Sequence, residues 1–155
     1  HTPGLLLEAL FVTESTLDAH WRADRFFPPT PVRVVVNLQG AAVQMGDLSD
    51  QLQPVDSAQW ATLDIPLSEL LSGQVQAARQ IAEDRAEAIA NEAHTRMLEV
   101  LQPQAERLVE LARIHPAVGE SELAACRTEL TALSTGLRSA RVRLDALRWI
   151  LVEAP

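Results

Sequence analysis

Lysine is missing altogether: all thirteen basic residues of the 155-residue chain are arginine. Without lysine there is no Schiff-base chemistry and no P-loop phosphate clamp. Tyrosine is missing too, and three Phe and three Trp make up the aromatic complement. The core must therefore come from Leu, Val, Ile and Ala. One cysteine, Cys126, excludes an internal disulfide framework and favours an intracellular setting. No run approaches the roughly 18 apolar residues of a membrane span, and no basic-plus-apolar leader opens the chain. The expectation is a soluble cytoplasmic protein with no membrane partner.

What is present is ordinary for a folded chain. The 47% hydrophobic content argues against disorder, and the length suits one domain, residues 1–155, that buries about two-thirds of its unfolded surface. The net charge of −8 disfavours nucleic-acid binding by the chain as a whole. Charge is uneven, however, and four arginines, Arg138, Arg141, Arg143 and Arg148, crowd into a short stretch near the C-terminal end.

Residues 5–12, LLLEALFV, form a short apolar run behind Pro3 and Gly4 and are read as a buried strand. ESTLDAHWRADR follows as a loop or short helical turn. Val32–Leu38, VRVVVNL, is the clearest strand, closed by a turn at Gln39-Gly40. AAVQM, 41–45, can return as a third short strand. From about Asp56 the apolar period becomes helical. DSAQWATL reads as a short helix, and Asp64, Pro66 and Glu69 mark the start of a longer one. Ala82, Ala86, Ile89, Ala93, Met97, Val100, Leu108 and Leu111 step by threes and fours along one face. Pro103 is expected to kink or split that helix. Beyond His115-Pro116 and Gly119, with Ser121 or Glu120 as cap, Leu123, Leu130, Leu137, Leu144 and Leu151 recur every seventh residue. Cys126, Leu133, Ala140 and Leu147 complete an a/d seam. The predicted fold is α+β: a small antiparallel sheet of two or three strands from a β-rich part, 1–46, on a long antiparallel helical hairpin, 56–151. A sheet that small is marginal alone, so the chain is expected to be a piece of something larger.

Catalytic chemistry is sparse. Gly73-Gln-Val has neither the spacing nor the lysine of a phosphate loop, and NEAH at 91–94 lacks the aspartate and strand-end setting of a helicase acidic box. Glu83, Glu87 and His94 share a helix face that a metal could use, but they are read instead as a solvated acidic face. Cys126 falls in the leucine seam as a small buried thiol. Arg138, Arg141 and Arg148 share a face of the predicted last helix, where they could meet phosphate or an acidic protein surface. They could also pair across the hairpin with Glu92, Glu99 or Glu106. Pro28-Pro29-Thr30-Pro31 has the PxxP arrangement of a polyproline ligand. Flanked by Phe26-Phe27 and the valine run, it reads instead as a rigid entrance into the strand.

Three blocks carry a family resemblance: GLLLEALFV at 4–12, RFFPPTPVRVVVN at 25–37 and RLDALRWILV at 143–152. In order and spacing they resemble the C-terminal domain of the RapA family, Swi/Snf-class ATPases associated with bacterial RNA polymerase. The resemblance implies a cytoplasmic transcription factor that binds core RNA polymerase and uses ATP hydrolysis to promote its recycling. It places ATP and Mg in two motor lobes upstream, with no catalytic, cofactor or metal residue carried onto this chain. The chain would then be a non-catalytic accessory domain whose partners are the upstream domains, RNA polymerase and, through Arg138, Arg141 and Arg148, a protein or nucleic-acid surface. The alternative is a free-standing helical-hairpin interaction or dimerisation module.

Overall fold

The computed structural model describes residues 4–46 and 49–152. Three strands, β1 (Gly4–Ser15), β2 (Thr30–Asn37) and β3 (Ala140–Val152), form an antiparallel sheet in the order β2-β1-β3. Three helices complete the fold: α1 (Ser57–Ala61), α2 (Leu67–Ile114) and α3 (Glu120–Gly136). The fold class is the expected α+β, but the third strand is not the expected one. AAVQM makes a single antiparallel bridge, Val36 to Ala42, beside β2. The place of third strand goes to β3, drawn from the segment assigned to the last heptads.

The correction at β3 has a physical cause. The heptad pattern is genuine over α3, where Leu123, Leu130 and Leu133 turn inward, and it breaks where the helix ends at Gly136. Beyond Ser139, arginine and aspartate at 141, 143 and 145 alternate with Val142 and Leu144, the period of a strand. Leu144 and Leu151 keep the interval of seven by coincidence. Gly136 also permits a close approach: a β-carbon there would lie 2.3 Å from Leu17 Cδ2. Gly119, not Ser121 or Glu120, is the N-cap of α3, and it offers no side-chain bond.

Contacts divide the chain into two compact units. Unit 1 comprises 1–11, 33–82 and 144–155; unit 2 comprises 12–32 and 83–143. In unit 1, Leu5, Leu7, Ala9 and Phe11 alternate into the interior along β1, with Val34, Val35 and Val36 from β2. The first turns of α2 pack here through small residues. Ala78 and Ala82 are fully buried, Gln74 Nε2 donates to the Leu38 carbonyl at 2.7 Å, and the Arg79 guanidinium lies over the Phe11 ring at 5.6 Å. The turn after β2 is at Gly40, with φ +76°, and the Asn37 side chain accepts from the amides of Gln39 and Ala41. Main-chain bonds from Asn37 N to Ala41 O and from Val43 N to Val35 O then lay the returning chain along β2. Asp56 and Gln59 form a reciprocal capping box at the start of α1.

Unit 2 is a helical hairpin with an apolar interior. Ala90, Ala93, Met97 and Leu101 of α2 meet Leu133 and Leu137 together with Ala23, Phe26 and Phe27. The short link between α2 and α3 makes the two helices antiparallel, as expected. The inward row of α2 runs Ala86, Ala90, Ala93, Met97, Leu101; Val100 and Leu111 face water, contrary to expectation. Pro103 does not split α2, which runs unbroken from Leu67 to Ile114. The ring is exposed, so the lost N–H leaves the Glu99 carbonyl where water can reach it. Two 3-10 turns, Ala19–Trp21 and Ala23–Arg25, carry the chain to Phe26 and Phe27. Both phenylalanines are buried, Pro28 and Pro29 are exposed, and Thr30-Pro31 opens β2. The prolines are thus a corner leading into an edge strand, where a missing amide is tolerated.

Candidate interaction surfaces

The arginines singled out from sequence are not on a helix. Arg138 lies in the exposed turn after α3, and Arg141 and Arg148 are on β3. They do not form one site: Arg138 and Arg141 belong to unit 2 and Arg148 to unit 1. Nor do they pair with Glu92, Glu99 or Glu106. Arg141 donates through Nε to Glu14 Oε1 at 3.1 Å and through its terminal nitrogen at 2.5 Å. Glu92 is instead 3.9 Å from Arg96, one helical turn on. Arg138 has no carboxylate partner among the described residues.

Arg148 completes a cluster that sequence reading missed. Glu8, on the central strand, is 7% exposed. Its Oε1 accepts from Arg33 Nε of β2, and its Oε2 accepts from Arg148 Nε of β3. One carboxylate thus ties the central strand to both neighbours. Arg33 also donates to the Met45 carbonyl at 3.0 Å, fixing the segment that follows the Gly40 turn. Burial pushes the Glu8 carboxyl up, but hydrogen bonds and charge from Arg148 and Arg33 outweigh it, and the net shift is downward. The signal available in sequence was a lone glutamate inside LLLEALFV. A charge there requires partners, but nothing local names them.

Two concavities accompany these charges. In unit 1, a groove of about 660 Å³ is lined by residues 51–55, Gln59, Trp60 and residues 148–151. In unit 2, a cleft of about 480 Å³ lies between α2 and α3, with Ala105, Val109, Leu123, Cys126 and Leu130 on its walls and Glu106, Glu110, Arg113 and Arg127 around them. Cys126 is half-buried there. His94 bonds through Nε2 to Ser134 Oγ at 3.1 Å, while Glu83 and Glu87 are exposed. Among the described residues no group of three or more His, Cys, Asp or Glu is placed to hold a metal ion. No helix of the described residues is long and apolar enough to cross a membrane.

These features define an α+β domain whose ordered polar groups serve as ion pairs, caps and turns. The chain belongs to the RNA polymerase recycling family as its C-terminal domain: the model of that family matches residues 1–152. Among curated proteins it is similar to the RNA polymerase-associated protein RapA of Pectobacterium atrosepticum. That match is 30% identical over 152 residues and covers 96% of this chain and 16% of the relative. The RapA proteins of Vibrio parahaemolyticus and Serratia proteamaculans match over the same shares at 26% and 27% identity. The chain therefore spans about a sixth of the length of these relatives.

Proposed function

We propose that this chain is the non-catalytic accessory domain of a RapA-like, ATP-dependent factor that binds bacterial RNA polymerase and promotes its recycling in the cytoplasm. The observation that carries this reading is the family match over residues 1–152, together with relatives described as RNA polymerase-associated. ATP and Mg are then the business of the motor lobes elsewhere in the parent. This domain contributes contacts, to those lobes and to polymerase. Of the three arginines first considered, Arg138 is the one put forward for a phosphate or acidic protein surface. Arg141 and Arg148 already spend their guanidinium groups on Glu14 and Glu8.

The alternative, a hairpin built to dimerise, has less support. Met97, Leu101, Leu133 and Leu137 are buried within a single copy, so the seam a dimer would need is already used. The test is capture of core RNA polymerase by the full-length parent, with and without this domain, alongside its ATPase rate. The proposal expects hydrolysis to survive the deletion while polymerase capture or recycling falls. Loss of all hydrolysis on deletion, with no other defect, would place the domain in the motor and refute it.

A further inference from the structure

The hairpin of unit 2 is finished at one end and open at the other. Around Ala93, Met97, Leu101, Leu133 and Leu137 the seam is buried beneath a third element, the turns carrying Ala23, Phe26 and Phe27. In the other half, residues 102–132, no side chain is buried. Two helices meet along one line, so an apolar seam between them stays partly wet until something lies across it. Leu108, Val109, Leu123 and Leu130 are half-buried there, and Leu111 and Ile114 are 42% and 79% exposed. The cleft of about 480 Å³ sits in this uncovered half.

The walls select the shape of a cover. The α2 residues of the lining, from Gln102 to Arg113, recur at steps of three and one, as do Leu123, Cys126, Arg127 and Leu130 of α3. Each wall is therefore a single helical face. Helical walls have their main-chain groups already bonded, so an extended occupant would leave its own groups unpaired. A helix satisfies itself, and at ~1.5 Å per residue the α2 wall offers a bed about 16 Å long, or about three turns.

The charges select the chemistry. Glu106 and Glu110 lie one turn apart on the α2 wall, and Glu99 extends the row into an adjoining groove that shares Gln102 and Glu106. None of these three carboxylates has a cationic partner among the described residues. Arg113 stands at the end of the α2 wall and Arg127 alone on the α3 wall. The finished half shows how this hairpin accepts a cover. Phe26 and Phe27 enter the seam, while Arg25 pairs at the rim with Glu129 of α3. We infer that the open half receives an amphipathic helix of a partner protein. Its apolar face lies on Val109, Leu123 and Leu130, and lysines or arginines three or four residues apart meet Glu106 and Glu110. Such docking goes beyond polymerase recycling and does not depend on it.

The test uses the chain and a labelled peptide of about 18 residues, long enough to be helical, with a leucine face and one lysine flank. Anisotropy should report binding. The single cysteine, Cys126, lies in the cleft, so peptide at ten times its Kd should slow its alkylation about tenfold. Glu106→Gln with Glu110→Gln should weaken binding about tenfold. Glu83→Gln with Glu87→Gln, the same change of net charge on exposed positions outside the cleft, should leave it unchanged. Equal weakening by both pairs would reduce the attraction to net charge and overturn the proposal. So would equal binding of a leucine–glutamate peptide, unchanged alkylation of Cys126 by bound peptide, or no binding at all. Sedimentation at twice 17.0 kDa without peptide would put a second copy on the cleft. Shielding of Cys126 in the full-length parent alone would put the parent's own chain there. Either result would also refute a partner helix.

Discussion

In unit 1 the interior holds polar groups next to Leu5, Leu7, Phe11 and the valines of β2: the carboxylate of Glu8 and the carboxamide of Gln74 are both buried. In unit 2 the cluster around Phe27, Met97 and Leu133 is wholly apolar, and the ion pairs Arg25–Glu129 and Arg141–Glu14 sit near the surface. The difference lies in what each interior must satisfy. A buried carboxylate is tolerable only while its partners stay in place, so unit 1 should respond to charge and pH. A dry core responds to volume, so unit 2 should respond chiefly to missing methylenes.

The largest expected effect is in the dry core. Phe27→Ala should destabilise unit 2 by about 3–5 kcal/mol, whereas Met97→Leu, which keeps volume, should cost less than about 1.5 kcal/mol. Denaturant melts followed through Trp21 fluorescence in a variant lacking Trp60 and Trp149 would check both. Similar costs for the two substitutions would mean that packing does not dominate there. Next comes Pro103→Ala, which restores an amide inside α2 and should stabilise the chain by up to about 3 kcal/mol. A lower melting temperature would show that the proline is needed for the helix's course.

Removing charge from unit 1 should have a middling effect. Glu8→Ala leaves Arg33 and Arg148 without their carboxylate, at a cost of about 1–3 kcal/mol. That is less than for a sealed pair, because side-chain exposures of 32% and 43% let both arginines reach water. The sign of the pH dependence follows from the lowered native value. Stabilisation by Glu8 is fully present above the ordinary carboxyl value of 4.5 and is lost as pH falls below it, through the lowered native value. Wild-type and Glu8→Gln stabilities should therefore converge in acid. Parallel curves down to low pH would refute the cluster's role. The smallest effect belongs to Arg141→Ala in unit 2. Its guanidinium is 63% exposed, and such pairs contribute about 0–1 kcal/mol, less in high salt.

The same contrast separates what could be read from sequence from what could not. β1, β2, the Gly40 turn, α1 and the start of α2 were legible because each carries a local signal: an apolar run, β-branched residues, a capping aspartate. β3 was not, because its leucines continue the spacing of α3 and masked the alternation from Arg141 to Asp145. With the helix went the shared arginine face, since strand residues three and seven apart do not line up as helical ones do. The Glu8 cluster joins positions 8, 33 and 148, a contact set only by how three strands associate. The family resemblance survived the misread element because it rests on block order rather than on secondary structure.

The central claim is that this domain serves polymerase recycling without performing the parent's hydrolysis. Multi-round transcription in vitro tests it most directly, comparing full-length parent with parent lacking this domain at matched ATPase activity. Fewer rounds per polymerase are expected when the domain is missing. Equal numbers of rounds from both proteins would contradict it.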